Sequence, residues 1–456
     1  MIATNKLVVE FEKLGKDDVP IVGGKNANLG EMLKAGIPVP PGFAVTSYAY
    51  KRFLEETGLV DKIYNIIKEN VKDKNDPRQY EGASKEIRAI VEAEQVPKDI
   101  AKAVKEAYKK LCDKLGIVDV YVAVRSSATA EDLPDASFAG QQETYLNVKG
   151  FDDLIHNLRK CWSSLFTPRA IFYRDEKGFP HEKVLISVGV QKMVNAKAAG
   201  VMFTLHPVTG DRSKIVIEST WGLGESLVSG SVTPDRFVVD KDTMKIVERE
   251  IAHKTVFYTR DEKGKTVHLS VPSEKQDAPS LKDEEVLKLA ELGKKIEEHY
   301  GKAQDIEFAI DSELSFPKSV FMVQSRPETV WSTKAPVPLV SKAPSTQSKP
   351  IERVIAIKGL PASPGMHIGQ AKVTISPEEA SKLMKQGDIL VTRMTNPDWA
   401  PYMRVAGSIV TDEGGMTCHA AIVSRELGIP CIVGTRNATK VLATGNSYTV
   451  DARAGV

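Results

Sequence analysis

The sequence lacks the features of a disulfide-stabilised, secreted or membrane-spanning protein. It has four cysteines in 456 residues and no C-x-x-C pair, which argues against a disulfide framework, a zinc ribbon or a thioredoxin-like motif. No stretch approaches the roughly 18 apolar residues of a membrane span, and the first residues lack the apolar core of a signal peptide. A net charge of +2 favours neither a nucleic acid nor a membrane surface. We therefore expect a cytoplasmic protein without nucleic-acid or membrane partners.

The common phosphate-binding motifs are missing as well. Lys25 follows Gly24, but Asn26 stands where a P-loop requires serine or threonine, and no strand leads into a G-x-G-x-x-G turn. What is present is an ordinary globular composition, with 42% apolar and 27% charged residues. At roughly 150 residues per domain, this length predicts about two or three domains.

The hydrophobic pattern predicts an α/β protein in two parts. The sequence of residues 48–112 predicts mainly helices. Alternating valines from Val120 predict a strand that runs into Arg125. After residue 353, strands and short helices alternate as in an α/β domain. Between the two parts, residues 332–352 are rich in Pro, Ser and Lys. This composition predicts a flexible linker, which as a coil spans roughly 22–27 Å.

The segment around His419 carries the clearest chemistry. His419 stands just before a predicted helix at 420–427, where unpaired backbone N–H groups and the helix dipole favour an anion. Gly414 and Gly415 allow a tight turn, and Thr417 offers a hydroxyl to the same anion. An imidazole at this point can attack phosphorus and carry a phosphoryl group. On these residues alone, a histidine that only caps or supports the helix is the alternative.

A longer match extends this interpretation. The run Gly414-Gly-Met-Thr-Cys-His-Ala-Ala-Ile-Val-Ser-Arg-Glu-Leu-Gly-Ile-Pro430 resembles the phosphohistidine signature of the phosphoenolpyruvate-utilising enzymes. The earlier run Pro361-Ala-Ser-Pro-Gly365 resembles the start of the swivelling domain in that family. The resemblance implies that His419 is the covalent phosphoryl carrier, with Thr417 and Arg326 as further catalytic residues.

Separate runs in the first part of the chain resemble the ATP-grasp-like domain of dikinases of the phosphoenolpyruvate synthase type. They are Gly23–Met32, Val124–Ala128, Ala139–Val148, Trp221–Glu225 and Gln324–Pro327. Taken singly, Lys25 and Arg125 are more typical of solvated surface charges than of phosphate-binding residues. Taken together with the resemblance, the implied nucleotide-binding residues are Lys25, Arg125, Gly140, Thr144, Gln191, Gln324 and Arg326.

A row of carboxylates predicts a place for a metal ion. Asp305, Glu307 and Asp311 share one face of a predicted strand, because side chains alternate along a strand. Carboxylates beside a phosphate site suit Mg²⁺, which prefers oxygen ligands. The resemblance points to Glu307 and Gln324 as the ligands of Mg²⁺, with ATP as the substrate. Asp305 and Asp311 are interpreted as a solvated face.

The resemblance implies an order of domains and a reaction. Residues 1–331 are expected to form an α+β ATP-grasp-like nucleotide-binding domain, and residues 353–456 a small α/β swivelling phosphohistidine domain, one strand short of its finished form. The family's pyruvate-binding barrel has no counterpart in this sequence. The implied reaction converts ATP, pyruvate and water into AMP, phosphoenolpyruvate and phosphate through phospho-His419. These residues are expected to perform only the ATP half-reaction, and a homo-oligomer of the full-length enzyme is left open.

Three alternatives remain at this point. A pyruvate, phosphate dikinase uses phosphate in place of water, although Thr417-Cys418-His419 looks more like the synthase. An antibiotic phosphotransferase, such as rifampicin phosphotransferase, places a drug-binding domain where this chain has a short linker. A non-catalytic nucleotide-binding module would have no need to retain both the basic residues and His419.

Overall fold

The computed structural model describes residues 2–73, 77–129, 143–328, 331 and 354–456. Within these ranges the strands form sheets of five, six and six strands and one two-stranded ribbon. No helix in the described part of the chain is long and apolar enough to cross a membrane. All four cysteines are buried and free, as the sequence predicts.

The first sheet has the strand order β1-β2-β5-β3-β4 and carries a helical cover. Its core includes Trp162, whose ring stacks on Phe53 at 4.7 Å between centroids. The mainly helical stretch predicted at 48–112 is confirmed. The strands are β1 (Val8–Glu10), β2 (Gly42–Val45), β3 (Val122–Ala128), β4 (Thr144–Val148) and β5 (Ile186–Lys192), and the helices are α1 (Val19–Lys34), α2 (Ser47–Glu56), α3 (Leu59–Asn70), α4 (Pro77–Ala93), α5 (Lys98–Leu115), α6 (Phe151–Ser163) and α7 (Pro168–Lys177).

The second sheet is antiparallel, in the order β13-β12-β6-β7-β8-β9. One of its faces packs against α10, whose apolar residues Val286, Leu289, Leu292 and Ile296 are buried as their spacing predicts. A hairpin, β10–β11, turns at residues 261–264. The elements are β6 (Ala196–Phe203), β7 (Lys214–Trp221), α8 (Glu225–Val228), β8 (Asp235–Asp240), β9 (Lys245–Glu250), β10 (Val256–Arg260), β11 (Thr266–Ser270), α9 (Ser273–Gln276), α10 (Asp283–Tyr300), β12 (Gln304–Asp311) and β13 (Val320–Pro327).

The third sheet, in the order β14-β18-β17-β16-β15-β19, lies in the C-terminal part of the chain. Its inner strands β15 to β18 pair in parallel, in agreement with the alternation of strands and helices in the sequence. The predicted linker at 332–352 lies outside the described residues. The elements are β14 (Leu360–Ser363), β15 (Met366–Val373), α11 (Pro377–Leu383), β16 (Ile389–Thr392), α12 (Ala400–Val405), β17 (Ser408–Thr411), α13 (His419–Leu427), β18 (Cys431–Val433), α14 (Ala438–Val441) and β19 (Ser447–Asp451).

Helix α1 differs from the prediction at its start. It begins at Val19 rather than at Lys25, but Gly23 interrupts it with φ 71° and ψ 164°. A Cβ at Gly23 would lie 2.3 Å from the carbonyl oxygen of Ser127 on β3. The predicted turn is therefore real, and it lets the helix approach the strand that carries Arg125.

This close approach predicts the effect of a single methyl group. Gly23→Ala should lower the free energy of unfolding by about 1–3 kcal/mol more than Gly150→Ala, because only the first methyl group meets backbone. Gly150 has a similar conformation, with φ 81° and ψ 163°, but nothing within 4 Å of its Cβ position, so it controls for backbone strain alone. Chemical denaturation of both variants measures the difference. Equal destabilisation would contradict the packing of α1 on β3.

Candidate functional site

The polar site lies on one face of the second sheet. Glu307 pairs in register with Gln324 of β13 and Val201 of β6, and Val201 in turn pairs with Glu218 of β7. Because directly opposed residues point to the same face, Glu307, Gln324 and Glu218 share a face. Asp305 lies there too, two residues from Glu307. The opposite face carries the apolar residues that pack on α10.

Arg125 joins the first sheet to this face. Its Nη2 donates to Oε2 of Glu307 at 2.7 Å and to Oε1 of Gln324 at 2.8 Å, and its Nη1 donates to the carbonyl oxygen of Val323 at 3.2 Å. Burial alone would raise the pKa of Glu307, but the positive charges of Arg125 and Lys25 outweigh it and hold that pKa below its usual range. Four of the predicted site residues, Lys25, Arg125, Glu307 and Gln324, therefore lie within mutual electrostatic influence.

Arg326 and Asp305 form a second pair on the same face. Nε and Nη2 of Arg326 both lie 2.9 Å from Oδ2 of Asp305. Burial raises the pKa of Asp305, and Arg326 opposes that rise. The interpretation of Asp305 and Asp311 as a solvated face is wrong. Their side chains are 11% and 2% exposed, because Arg326 pairs with the first and Lys192 lies 3.8 Å from the second.

The remaining predicted nucleotide-binding residues lie on the first sheet. Thr144 of β4 is exposed directly opposite Arg125. Gln191 of β5 lies two residues from Gly189, which also pairs with Arg125. Gln191 is 2% exposed, and its Nε2 has no hydrogen-bond partner among the described residues, so a buried donor is available there. Gly140 lies outside the described residues.

The oxygen atoms at this site fit a hard cation. Oε2 of Glu307 and Oε1 of Gln324 converge on a single nitrogen of Arg125, at 2.7 and 2.8 Å. Among the described residues no cluster of three or more His, Cys, Asp or Glu side chains is arranged to hold a metal ion. Mg²⁺ takes one or two protein carboxylates and completes its shell with phosphate and water, so Glu307 and Gln324 could serve as its protein ligands.

The predicted loop and helix around His419 are confirmed. Gly414 has φ 112°, Cys418 is the N-cap, and His419 is the first residue of the nine-residue helix α13. Nδ1 of His419 lies 2.9 Å from the hydroxyl of Thr395. Burial, together with the positive charge of Arg169, lowers the pKa of His419 to about 4. The imidazole is therefore neutral at neutral pH, which is the nucleophilic form.

The loop before His419 rests on the polar face of the second sheet. Glu218 accepts hydrogen bonds from the backbone N–H of Met416 at 2.7 Å, and from the backbone N–H and the hydroxyl of Thr417 at 3.0 and 2.7 Å. Arg425 of α13 donates to the carbonyl oxygen of Met416 at 2.6 Å, and its guanidinium lies 5.7 Å from the ring of Phe203. The structure thus brings the His419 loop onto the face that carries Glu307 and Arg326.

Sequence reasoning missed three residues of this arrangement. Glu218, Arg425 and Thr395 contact either the His419 loop or His419 itself. Glu218 is a single carboxylate that follows three apolar residues in β7, and it belongs to no motif. An isolated charge at a buried strand position is the one signal in the sequence that would have suggested a polar partner.

The geometry supports a definite kind of chemistry. Basic side chains and a buried amide donor surround an oxygen-rich point, which suits a polyphosphate with its cation. A neutral imidazole is held on the same sheet face by a loop whose backbone N–H groups donate to Glu218. Together these groups can bind a nucleotide and pass a phosphoryl group to a histidine.

Comparisons with known proteins agree with this geometry. Residues 19–347 match the family model described as the pyruvate phosphate dikinase AMP/ATP-binding domain, and residues 384–455 match the PEP-utilising enzyme mobile domain. The chain is 52% identical to a probable phosphoenolpyruvate synthase of Staphylothermus marinus, over 99% of this chain and 57% of that protein. It is 49% identical to the phosphoenolpyruvate synthase of Aeropyrum pernix, over 99% of this chain and 58% of that protein. It is 53% identical to a probable phosphoenolpyruvate synthase of Archaeoglobus fulgidus, over 98% of this chain and 58% of that protein.

The chain thus spans a little over half the length of these relatives. Among solved structures, an L-amino acid ligase from Bacillus licheniformis aligns with a TM-score of 0.20 at 11% identity, which is too low to bear on the fold.

The buried imidazole predicts how acid affects the site. Because the pKa of His419 is lowered to about 4, the native state binds fewer protons than the unfolded state between about pH 4 and 6.5, and stability should fall as the pH drops through that window. An NMR titration should show the His419 ring neutral at pH 5.5, with His419→Asn identifying its signal. A midpoint near 6.5 would contradict the burial described here.

Proposed function

The chain belongs to the pyruvate phosphate dikinase AMP/ATP-binding family, and from that premise we propose that it performs the ATP half-reaction of a phosphoenolpyruvate synthase. In the proposed reaction, ATP, pyruvate and water yield AMP, phosphoenolpyruvate and phosphate. The phosphoryl group passes through His419. The observation that carries the proposal is the seating of the His419 loop on the sheet face that bears Arg125, Glu307 and Gln324.

Each group has a part in the proposed chemistry. Lys25, Arg125 and Arg326 bind the triphosphate and offset its charge. Glu307 and Gln324 hold Mg²⁺, which supplies charge neutralisation at the phosphates when bound. Catalysis in this scheme is mostly positioning and electrostatic stabilisation, as in phosphoryl transfer generally.

The acceptor is the ring of His419. With the proton on Nδ1, the ring donates to the hydroxyl of Thr395 and leaves the lone pair of Nε2 free. Nε2 attacks the β-phosphorus, the bond from that phosphorus to the α-phosphate oxygen breaks, and AMP leaves. Water then removes the terminal phosphate, which leaves phospho-His419 for transfer to pyruvate. Thr417 is the proposed hydroxyl donor to the phosphoryl group after the loop has left Glu218, because in the seated loop this hydroxyl donates to Glu218.

The rest of the assignment follows the family. We propose a nucleotide-binding domain at 1–331, a linker at 332–352 and a phosphohistidine domain at 353–456, with pyruvate bound by a further domain as the length of the relatives suggests. The proposed location is the cytoplasm, and a homo-oligomer of the full-length enzyme is left open.

A pyruvate, phosphate dikinase is the second candidate, since the matching family model carries that description. Conversion of added phosphate into pyrophosphate would favour it, because phosphate would then accept the terminal phosphoryl group in place of water.

Nucleotide binding should depend on the basic residues. Lys25→Ala and Arg326→Ala should each weaken MgATP binding by about 10-fold or more, because each removes a charge-assisted contact with phosphate. Isothermal calorimetry with and without Mg²⁺ measures the affinity. Lys102→Ala, which removes a 77% exposed lysine on α5, is the matched control and should bind as the parent does.

One control separates binding from folding. Arg326→Ala leaves the buried carboxylate of Asp305 without its partner, which by itself destabilises the sheet. The double variant Arg326→Ala/Asp305→Asn removes both charges and should still bind MgATP weakly. Undiminished affinity in this variant and in Lys25→Ala would overturn the assignment of the nucleotide site.

The carrier histidine should become labelled. ATP labelled on its β-phosphate should leave label on the protein, and that label should be labile in acid and stable in alkali, as a phosphoramidate is. His419→Ala should abolish it. His206→Ala should retain it, because Nδ1 of His206 accepts backbone hydrogen bonds from Val208 and Thr209 within its own turn.

When residues 1–456 are tested alone, pyruvate should not discharge this label, since its binding is assigned to a further domain. If His419 stays unlabelled in a folded protein with MgATP bound, the carrier role fails. Label on any other residue would require a different mechanism.

A further inference from the structure

Glu218 is a buried acidic residue for which the ATP chemistry above gives no use. It is 1% exposed at the middle of β7, and both of its carboxylate oxygens accept hydrogen bonds. All three donors belong to Met416 and Thr417, just before His419. We propose that Glu218 is a positioning residue that seats the His419 loop on the sheet and so aims the histidine at bound ATP. This inference rests on the proposed function.

The hydrogen-bond pattern separates this role from a structural role within the sheet. Among the described residues, every side-chain hydrogen bond of Glu218 comes from the loop and none from its own sheet. Arg236 lies opposite it on β8, yet its Nη2 pairs with Glu250 at 2.7 Å. If the loop lifted away, Glu218 would lose all three of these hydrogen bonds and keep the electrostatic attraction of Arg236. The hydrogen bonds of Glu218 therefore serve the seated loop.

The surrounding surfaces are shaped for the same contact. A Cβ at Gly415 would lie 2.6 Å from Cγ of Pro234 and 2.8 Å from Oε1 of Glu218, so the loop approaches as closely as glycine permits. Met416 is buried in one apolar cluster with Val216 and Val238, which pair with each other two positions along the strands from Glu218. An apolar contact thus excludes water around a charged anchor, which strengthens its hydrogen bonds.

This role predicts an effect on only one way of phosphorylating His419. Transfer from bound ATP needs the loop seated on the sheet. Phosphoramidate, a small phosphoryl donor, needs only access to the half-buried ring, which an unseated loop improves. The two donors therefore distinguish a positioning role from general damage to the loop.

The test measures both labelling rates in the whole chain. In Glu218→Gln, the charge is lost and an amide N–H faces a backbone N–H, so ATP-driven labelling of His419 should slow by about 10-fold or more. The affinity for MgATP should be unchanged, and labelling by phosphoramidate should be equal or faster. Glu218→Asp keeps the charge and should retain more of the ATP-driven rate. Glu248→Gln, on the exposed part of β9, is the matched control and should behave as the parent does.

A second variant tests the contact from the other side. Gly415→Ala leaves Glu218 intact but pushes the loop off the sheet, and it should give the same pattern of slow ATP labelling with undiminished phosphoramidate labelling. An unlabelled parent chain would overturn the proposed function and this inference with it. A labelled parent with equal ATP-driven rates in Glu218→Gln and Gly415→Ala would overturn this inference alone. Loss of labelling from both donors would also overturn it, because the loop itself would then be damaged.

Discussion

The hydrogen bonds of one guanidinium hold the architecture of this site together. Arg125 stands on the first sheet and binds two oxygen atoms and a carbonyl of the second sheet. Because its charge offsets the penalty of burying Glu307, the carboxylate stays ionised at the junction of the two sheets. Two further proposed nucleotide contacts lie at this junction: Lys25 comes from the helix that packs on β3, and Gln324 comes from the strand beside Glu307.

A second buried carboxylate solves a different physical problem on the same sheet face. A loop that must carry a phosphoryl group needs unpaired backbone donors, and such donors are costly to bury without an acceptor. Glu218 supplies that acceptor when the loop rests on the sheet. The same donors are available to an anion when the loop leaves. The face therefore carries the proposed nucleotide site and the contact surface of the His419 loop, and only noncovalent contacts hold the loop there.

Patterns among neighbouring residues were sufficient to predict the helices, turns and strands that have a regular sequence spacing. The apolar stripe of α10, the turn before His419 and the alternation of β12 are short-range features, and each is found where it was predicted. The prediction that Asp305 is exposed to solvent was wrong, because the burial of its side chain depends on its ion pair with Arg326 on the neighbouring strand. Glu218 was not predicted as a site residue for the same reason, since its hydrogen-bond donors lie about two hundred residues further along the chain. Contacts of that range depend on how sheets and loops pack, and a single sequence contains no direct signal for them.

The central claim is that ATP and His419 meet on one face of the second sheet. A crystal structure with Mg²⁺ and a non-hydrolysable ATP analogue tests this most directly. The account predicts Mg²⁺ on Glu307 and Gln324, the triphosphate along Arg125 and Arg326, and the ring of His419 directed at the β-phosphorus. A nucleotide bound elsewhere, or a triphosphate that points away from the His419 loop while Glu218 still holds that loop, would contradict it.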